Sequence, residues 1–565
     1  MKYKDKYNLW LNYIKIKSET KMELLKIDDE LDIEDRFYKD LDFGTGGLRG
    51  VIGAGSNRMN IYTVAKATQG YAQYLNASFE SPSVAIAYDS RNMSKEFAKA
   101  TALTFAANNI KVYLFEDLRP TPMLSFTVRE LGCKGGIVIT ASHNPKQYNG
   151  YKVYGEDGGQ ITDETAKEVI GYINNIDIFN DVKSIAEEKA LEDGLLTYIG
   201  EDIDRIYIDK VKSLILRKDL IDEKAKELNI IYTPIHGSGL MPIKRTLTEL
   251  GFKKLNIVKE QEKPDGNFPT ASYPNPEEKS VFNIALDMAK DINPDIIFGT
   301  DPDCDRIGVV VKENSGGYRV LTGNQTGMLL AHYILKSLKD MDKLPENAAV
   351  IKTIVTTEGV RKIVESFGAE LIDTLTGFKY IGEKIKEFEE TNSNSFIFGL
   401  EESYGYLSGT FVRDKDAVIA ATLITEMALY YKEEGLTLYE ALMKLYEEYG
   451  FTQEELISIE LQGTEGQEKI AKCLNSLRED KIIDVNGVKV AKAFDYTLTE
   501  ETGLPKSNVL KYILEDDSWF VVRPSGTEPK MKVYLSVVGS SITDSVERLN
   551  NFKEDVMKII NSKLD

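Results

Sequence analysis

The feature that most constrains the fold is a weak threefold repeat in the order of the predicted elements. Three times, a short β-branched run is followed by a helix-like stretch, a second apolar run and a third run that ends in a polar cluster. These units cover residues 84–145, 229–306 and 349–405. Short apolar runs that alternate with amphipathic helices predict parallel sheets covered by helices. The fold class is therefore α/β, with three related domains whose sheets are mixed and largely parallel.

The third run of each unit stops at small and polar residues. These runs read GIVITASHNP, DIIFGTDPDCDR and SFIFGLEESYG. Open α/β sheets bind ligands beyond the carboxyl ends of their parallel strands. Three similar units can therefore bring three polar loops together at one central cleft.

The C-terminal part of the chain follows a different pattern. Residues 519–539 predict a strand, a Gly/Pro turn and another strand, and residues 542–564 predict an amphipathic helix. We interpret this part as a smaller α+β domain. At 565 residues the chain is too long for a single core, so we expect four domains, which cover residues 1–205, 206–322, 323–450 and 451–565.

Composition limits the partners and the compartment. A formal net charge of −20 repels nucleic acid and anionic membranes, so neither is an expected partner. Three widely spaced cysteines fit a reducing compartment, and the apolar run from Ala417 contains Glu426 and reads as a buried helix. We therefore expect a cytoplasmic protein, with monomer and dimer both open, whose polar residues 1–40 are helical and pack against the first domain.

The corner after the first unit contains the first candidate site. Ser142 and His143 end an apolar run, and Lys152 follows ten positions later. A hydroxyl near Lys and His suits phosphoryl transfer, which depends mainly on positioning and charge neutralisation. The pair Asn149 and Gly150 predicts a tight turn that brings Lys152 back toward Ser142. Alternatively, Ser142 is a plain turn residue and His143 a structural histidine.

The second unit ends in alternate carboxylates. Asp301, Asp303 and Asp305 follow an apolar strand, and this spacing can direct all three toward one point. Hard oxygen ligands of this kind select Mg²⁺ or a similar cation. A solvated acidic loop is the alternative interpretation, and the position after a strand favours the metal.

Two further clusters suit a phosphate and a sugar. RPSGTEP combines Arg523 with the hydroxyls of Ser525 and Thr527 around Gly526, which is the composition of a phosphate cradle. Its alternative is a hairpin turn. EESYGY supplies Glu401 and Ser403, and carboxylates accept hydrogen bonds from sugar hydroxyls, although paired Glu residues are more often surface charge. GTGGLRG, with Arg49, and LTGFKY, with Lys379, are by themselves equally consistent with loops or helix caps.

Taken in this order, the clusters resemble the α-D-phosphohexomutase superfamily, and within it the phosphoglucomutase/phosphomannomutase family. The residues that carry the resemblance are GTGGLRG, TASHNP with NGYK, DPDCDR, TGFKY, EESYG and RPSGTEP, which span positions 44 to 529. The resemblance implies three related α/β domains and a C-terminal α+β domain around one cleft. This agrees with the repeat and with the different C-terminal part.

The resemblance also implies roles for individual residues. Ser142 would be the phosphoserine, and its phosphate together with Asp301, Asp303 and Asp305 would hold Mg²⁺. The residues expected to bind substrate are Arg49, Arg306, Thr376, Gly377, Phe378, Lys379, Glu401, Ser403, Arg523, Ser525, Gly526 and Thr527.

The implied reaction interconverts glucose 1-phosphate and glucose 6-phosphate. Phospho-Ser142 would give its phosphoryl group to the free hydroxyl of the sugar phosphate, which makes glucose 1,6-bisphosphate. This intermediate would turn end for end and return its other phosphate to Ser142. The expected partners are therefore small sugar phosphates.

One departure leaves the proton transfer open. Some relatives have a His after the Glu-x-Ser of the sugar loop, where this chain has Tyr404. Lys152, His143 and Lys415 are the candidates for proton transfer, and the spacing favours Lys152. The alternatives are a pentose or mannose phosphate mutase or a sugar-bisphosphate synthase of the same superfamily. A non-catalytic sugar-phosphate sensor and a metal-dependent phosphatase are more distant ones.

Overall fold

The computed structural model of the protein describes residues 2–480, 482–485, 487–525 and 529–564. It contains four successive sheets with helices between them, the last of them antiparallel. The predicted fold class is confirmed: three α/β units are followed by a smaller α+β unit. The division at 205, 322 and 450 remains our proposal for the domain limits.

Three short helices precede the first sheet. They are α1 (Tyr3–Asn12), α2 (Ser18–Leu25) and α3 (Glu30–Phe37). Trp10 of α1 packs edge-on against Phe37 and against Phe179, which follows a helix of the first unit. The prediction that this segment is helical and packs on the first domain is confirmed.

The first unit contains seven strands and five helices. Its strands are β1 (Phe43–Gly44), β2 (Gly47–Val51), β3 (Ser83–Tyr88), β4 (Lys111–Phe115), β5 (Gly135–Ile139), β6 (Tyr148–Gly155) and β7 (Leu196–Ile199). Its helices are α4 (Ile61–Ser78), α5 (Ser94–Ala106), α6 (Thr121–Glu130), α7 (Asp163–Asn174) and α8 (Glu187–Glu192). The strand order is β1-β2-β6-β5-β3-β4-β7.

The second and third units are smaller. The second contains β8 (Asn229–Thr233), β9 (Lys254–Ile257), β10 (Ile296–Thr300), β11 (Ile307–Lys312) and β12 (Tyr318–Val320), with α9 (Glu201–Lys212), α10 (Lys218–Lys224), α11 (Leu240–Glu249), α12 (Lys259–Glu262) and α13 (Asn283–Ile292). The third contains β13 (Ala348–Thr353), β14 (Glu370–Thr374), β15 (Ser395–Glu401) and β16 (Gly405–Leu407), with α14 (Gly323–Asp340), α15 (Gly359–Ser366), α16 (Phe378–Thr391), α17 (Ala417–Glu433) and α18 (Leu438–Tyr449).

The three units share one strand arrangement. In each unit, the first strand of the repeat lies between the second and the third strands, and both are parallel to it. A fourth strand then pairs antiparallel with the third. The resulting orders are β4-β3-β5-β6, β9-β8-β10-β11 and β14-β13-β15-β16. The repeat in the sequence is therefore a repeat in topology. The loop between the third and fourth strands is the equivalent position in all three units.

The predicted turn at Asn149 and Gly150 is wrong. Both residues lie inside β6, where they pair with β2, and the reversal of the chain lies in residues 140–147 instead. A Cβ atom on Gly150 would lie only 2.4 Å from the carbonyl oxygen of Thr140. Glycine is therefore needed here for close backbone approach rather than for a turn, and the antiparallel strand carries Lys152 into the site.

The fourth sheet is antiparallel throughout and two-sided. Its strands are β17 (Phe451–Glu460), β18 (Asp484–Val485), β19 (Val488–Asp495), β20 (Leu510–Leu514), β21 (Trp519–Pro524) and β22 (Lys530–Gly539), and its helices are α19 (Gly463–Glu479), α20 (Thr499–Thr502) and α21 (Ile542–Leu564). One face packs on α19 and α21 through an apolar cluster. On the other face, Trp519, Val521 and Tyr534 pack against Ile354 and Val355 of the third unit. The fourth domain therefore lies against the third.

Helix α17 is buried along almost its whole length, as its sequence predicts. It carries the buried carboxylate of Glu426, whose Oε1 accepts hydrogen bonds from the backbone N–H groups of Leu216 and Arg217, at 2.9 and 2.5 Å. Burial raises the pKa of Glu426 to about 7 against the effect of these donors. Within the described residues, no helix combines the length and apolar character that a membrane crossing needs.

Replacing Glu426 with glutamine is expected to remove part of the pH dependence of stability. The pKa of Glu426 in the folded protein lies above its ordinary value of 4.5, so the folded state binds more protons between these two values. Stability therefore falls as the pH rises from about 4.5 to about 7, by up to about 3 kcal/mol. Glutamine keeps the acceptor oxygen but does not ionise, so urea unfolding should favour the variant over wild type more at pH 8 than at pH 5. An unchanged difference between the two proteins would contradict this account.

Candidate active site

The three equivalent loops all contain a residue with left-handed backbone that is not glycine. These residues are Ser142 (φ 51°), Cys304 (φ 52°) and Tyr404 (φ 66°). Such conformations are uncommon outside glycine and occur often at functional sites. We call these loops the serine loop (residues 140–147), the acidic loop (301–306) and the sugar loop (401–405). The structure places them at the same point of each repeated unit, as the sequence predicts.

Ser142 is held by its own loop and by the acidic loop. Its backbone N–H donates to Thr140 Oγ1 at 2.7 Å, and its Oγ donates to Asp301 Oδ2 at 2.8 Å. His143 Nδ1 lies 3.1 Å from the same Oγ. The hydroxyl thus lies at the contact between the first and second domains, next to a carboxylate.

Arg91 holds the serine loop in place through hydrogen bonds to its backbone, and this residue was not identified from the sequence. Its buried guanidinium donates to the carbonyl oxygens of Ser142, Asn144, Pro145 and Tyr148, with Nη2 lying 2.5 Å from that of Ser142. One side chain therefore holds four peptide groups of the loop. The run AYDSR, which contains the end of β3, was the available signal, because a buried Arg just beyond a buried strand is unusual for packing alone.

Replacing Arg91 with lysine is expected to lower kcat by roughly 10- to 100-fold, because a misplacement of about 1 Å at the reacting atom has such an effect. Lysine keeps the charge but cannot reach four carbonyls from one planar group. The measurement is steady-state kinetics together with the melting temperature. Arg129→Lys is the matched control, since Arg129 also donates to a carbonyl of this domain, that of Asp157, and should change kcat little. Equal losses in both variants would argue against the loop-holding role.

The three aspartates form a buried group of carboxylates. One oxygen of each lies within 4.8 Å of the others. Asp301 Oδ1 accepts from the backbone N–H groups of Asp305 and Arg306, both at 3.1 Å, whereas Asp303 Oδ1 and Asp305 Oδ1 are buried with no hydrogen-bond partner among the described residues. Buried carboxylate oxygens without donors fit a hard divalent cation.

Two lysines offset part of the negative charge of the acidic loop. Lys152 Nζ lies 2.8 Å from Asp303 Oδ2, and Lys415 Nζ lies 3.2 Å from Asp305 Oδ2. Burial alone would lower the pKa of Lys152, but Asp303 and Asp305 outweigh burial and raise it. Burial and the two neighbouring carboxylates raise the pKa of Asp301 well above its usual range, a repulsion that a cation would relieve.

The surroundings of His143 favour the neutral form of its imidazole. Burial, and then the nearby guanidinium groups of Arg306 and Arg49, lower the pKa of His143 well below its ordinary value. Its ring lies edge-on to that of Tyr273 at 5.8 Å. The imidazole can therefore accept a hydrogen bond or a proton near Ser142, although a structural role also fits its packing.

The sugar loop of the third domain faces the acidic loop. Glu401 Oε1 accepts from the backbone N–H of Gly377 at 3.1 Å, which joins EES to TGFK as neighbours in space. Burial raises the pKa of Glu401 to about 7, with Lys415 opposing. The hydroxyl of Thr376 is buried and has no partner among the described residues, so two polar groups of these loops can take hydrogen bonds from a ligand.

Lys379 reaches across the cleft to the first domain. Its Nζ lies 2.6 Å from Asp163 Oδ1 at the start of α7, and the hydroxyl of Tyr380 lies 3.2 Å from the other oxygen of that carboxylate. Asp163 was not identified from the sequence because 216 residues separate it from Lys379. The pair fixes the sugar loop relative to the serine domain.

The fourth domain contributes a basic pair. Arg523 lies directly opposite Lys532 on neighbouring strands β21 and β22, and the sequence analysis did not identify Lys532. Burial, and then Arg523, lower the pKa of Lys532. The backbone N–H of Ser525 donates to the carbonyl oxygen of Lys530 at 2.7 Å, whereas Gly526 and Thr527 lie outside the described residues.

These groups meet at one cavity of about 740 Å³, to which all four domains contribute. Arg49 of β2 lines this cavity, and Arg306 Nη1 lies 2.7 Å from Glu277 Oε1. The described residues that we expected at the site and that line this cavity are Arg49, Ser142, His143, Lys152, Asp305, Arg306, Thr376, Gly377, Phe378, Lys379, Glu401, Ser403, Lys415 and Arg523. Asp301 and Asp303 lie just below its surface, in contact with Ser142 and Lys152.

Four family models match consecutive parts of the chain. Their descriptions are phosphoglucomutase/phosphomannomutase, alpha/beta/alpha domains I, II and III and C-terminal domain, and they match residues 40–178, 205–316, 322–449 and 474–558. The phosphoglucomutase of Staphylococcus saprophyticus is 35% identical over 518 residues, which cover 90% of this chain and 92% of that protein. The phosphoglucomutase of Staphylococcus haemolyticus is 36% identical over 537 residues, which cover 93% and 94%.

Solved structures have the same fold at lower identity. A phosphoglucomutase/phosphomannomutase family protein from Burkholderia thailandensis aligns with a TM-score of 0.69 at 19% identity, over 92% of this chain and 97% of that one. The open form of pp63/parafusin from Paramecium aligns with a TM-score of 0.70 at 19% identity, over 93% and 96%. The four-domain arrangement and the sequence matches agree over nearly the whole chain, which belongs to the phosphoglucomutase/phosphomannomutase family.

Proposed function

We propose that the protein interconverts α-D-glucose 1-phosphate and glucose 6-phosphate through phospho-Ser142 and a bound glucose 1,6-bisphosphate. Family membership makes the chain an isomerase-type phosphotransferase. The observation that carries the finer proposal is the contact of 2.8 Å between Ser142 Oγ and Asp301, within a group of carboxylates that still has unpartnered oxygens. A serine placed in this way suits the transfer of a phosphoryl group.

Each half of the reaction moves one phosphoryl group. In the first half, the bond between phosphorus and Ser142 Oγ breaks, a bond to the free hydroxyl oxygen of the sugar phosphate forms, and the hydroxyl proton passes to a base. In the second half, Ser142 Oγ takes the other phosphoryl group and the sugar oxygen takes a proton. No net oxidation or hydrolysis occurs, so the enzyme returns to its phosphorylated state.

The acidic loop is our proposed metal site, with Asp301, Asp303 and Asp305 as ligands together with the phosphate on Ser142. Mg²⁺ bound there would neutralise the charge of the transferring phosphoryl group. Lys152 and Lys415 add positive charge on the same side, and their ion pairs hold them in place. Arg91 positions Ser142 through the loop carbonyls.

Lys152 remains our proposal for the group that moves the proton of the sugar hydroxyl. Its ion pairs with Asp303 and Asp305 favour the protonated form in the described structure, so Lys152 must release this proton before it can accept the proton of the sugar hydroxyl. His143, neutral and 3.1 Å from Ser142 Oγ, and Lys415 are the other two candidates. A pH–rate profile of Lys152→Met would separate them, because loss of the basic group would remove one limb of the profile.

The fourth domain would hold the phosphate that is not transferred. Like charges directly opposite each other on a sheet are destabilising, so an anion between Arg523 and Lys532 would relieve their repulsion. We propose that Ser525, Gly526 and Thr527 complete this phosphate cradle. Because the intermediate presents either end, the cradle must accept both the 1-phosphate and the 6-phosphate.

The sugar would lie between the cradle and the serine. Glu401 and Ser403 are our proposed partners for its hydroxyls, and Thr376, Gly377, Phe378 and Lys379 would select its shape. Arg49 and Arg306 would contact phosphate from the first and second domains. A site built to satisfy hydroxyl groups discriminates strongly against sugars that lack them.

The test is a coupled assay of glucose 1-phosphate conversion with Mg²⁺, with and without catalytic glucose 1,6-bisphosphate. Activity stimulated by the bisphosphate would support a phosphoserine mutase. Mannose 1-phosphate and ribose 1-phosphate at equal concentrations serve as matched substrates. A kcat/KM higher for either of them than for glucose 1-phosphate would overturn the choice of sugar.

A further inference from the structure

A second polar site lies on the sheet of the fourth domain, beside the third domain. Glu454, Ser536 and Trp519 occupy directly opposed positions on the neighbouring strands β17, β22 and β21. Opposed residues of adjacent strands project from the same face, close to one another. This face packs against the third domain through Trp519.

Each of the three side chains has one buried polar atom without a partner. These atoms are Glu454 Oε1, Ser536 Oγ and Trp519 Nε1, and no hydrogen-bond partner for them exists among the residues that the structure describes. Trp519 is 2% exposed and Ser536 is 1% exposed. Unpartnered buried polar atoms are few in folded proteins, so three of them in one row on adjacent strands indicate that a polar ligand or water binds at this face.

The row joins the two domains and opens toward the cleft. The other carboxylate oxygen of Glu454 accepts from Asn324 Nδ2 of the third domain, and Asn324 Oδ1 accepts from the backbone N–H of Thr357 at 3.2 Å. Glu454, Trp519 and Asn324 all line the cavity that contains the active site. A small molecule in that cavity can therefore reach the row.

The three unpartnered atoms determine which chemical group can bind to them. The indole N–H only donates, the serine hydroxyl donates or accepts, and the carboxylate only accepts when it is ionised. A hydroxyl oxygen can accept from the indole and donate to the carboxylate at the same time. With the carboxylate ionised, a carbonyl cannot donate to it and an ammonium group cannot accept from the indole, so neither satisfies all three side chains.

We propose that Glu454, Ser536 and Trp519 form a binding site for a hydroxyl oxygen, that of a water molecule or of a small polyol, at the junction of the third and fourth domains. The guest completes the hydrogen bonding of the interface from the cleft side. Burial raises the pKa of Glu454 to about 7, against Thr357 and Asn324, and a hydroxyl serves this carboxyl in either protonation state. The site is separate from the proposed phosphate cradle, which lies four residues further along β21 at Arg523.

The two tryptophans of the chain allow a direct test. In the full-length Trp10→Phe variant, Trp519 is the only indole, and its Nε1–H can be followed by NMR with ¹⁵N-labelled tryptophan. The probes are water and unphosphorylated glucose. The same measurement on Trp10→Phe with Ser536→Val removes one member of the row, and Ser458→Val, an exposed serine on the same strand as Glu454, is the matched control.

If water is the guest, we expect an exchange cross-peak between water and the Trp519 Nε1–H that Ser536→Val removes and Ser458→Val retains. If a polyol is bound, added glucose should shift the Trp519 Nε1–H resonance in a saturable way. Ser536→Val should abolish this shift and Ser458→Val should retain it. Either result supports the site. An indole resonance that has no cross-peak to water and does not respond to glucose would overturn the proposal, because neither water nor a polyol would then be bound to these side chains.

Discussion

Ser142→Ala is expected to abolish the mutase activity, with kcat falling by at least about 10⁴-fold, as for the loss of a covalent nucleophile in other enzymes. Alanine cannot carry the phosphoryl group, and no other described hydroxyl lies within hydrogen-bonding distance of Asp301. The loop itself should keep its shape, because Arg91 holds it through backbone carbonyls that the substitution leaves in place. The measurement is the coupled assay with glucose 1,6-bisphosphate present in both proteins.

Ser403→Ala is the matched control for this prediction. Ser403 lies in the same cavity but is proposed to contact the sugar and not to carry phosphate. We expect the control to raise KM by several-fold, as for one lost hydrogen bond, while activity remains measurable. Activity that survives in Ser142→Ala at more than a tenth of wild type would show that the phosphoryl group is carried elsewhere.

Asp303→Asn is expected to lower kcat by about 10²- to 10³-fold, the usual effect of removing one preorganised electrostatic group. Asp303 provides a buried oxygen without a partner in the described structure, and its other oxygen accepts from Thr121 Oγ1 and Lys152 at 2.8 Å each. Asparagine removes the negative charge while it keeps the size. Wild-type activity should disappear on chelation and return with added Mg²⁺, and the variant should need more Mg²⁺ for half-maximal activity.

Asp295→Asn is the control for Asp303→Asn because Asp295 directly precedes β10, whereas Asp303 lies in the loop that follows it. Asp295 accepts from the backbone of Asn229 at 2.8 Å and pairs with Lys432 at 2.7 Å, away from the cavity. Its replacement should lower stability modestly and leave the Mg²⁺ dependence unchanged. Equal shifts in both variants, or wild-type activity in a chelator, would contradict the metal site.

Much of the fold could be predicted because it depends on patterns that repeat along the chain. The alternation of apolar runs and helices gave the three α/β units, and the polar ends of β5, β10 and β15 located the loops. Their meeting follows from topology, since the third strand has the same neighbours in each unit. The contact between Ser142 and Asp301 is the local result of that arrangement.

The features that could not be predicted depend on contacts between distant parts of the chain. Arg91 donates to backbone carbonyls of the serine loop, so no side chain of that loop indicates the contact, and the only signal is the place of Arg91 just beyond an apolar strand. Lys532 acquires its importance only from the register that places it opposite Arg523. Gly150 was misread because Asn-Gly favours a turn, whereas here the glycine makes room for a carbonyl oxygen 2.4 Å from where its Cβ would lie.

The most direct test of the central claim is to follow the phosphoryl group on the enzyme. The protein is incubated with glucose 1,6-bisphosphate, the phosphorylated residue is located by peptide mass spectrometry, and glucose 1-phosphate is then added. We predict phosphate on Ser142 and its quantitative transfer to the sugar as glucose 1,6-bisphosphate. Phosphate on another residue, or phospho-Ser142 that glucose 1-phosphate does not discharge, would contradict the proposed reaction.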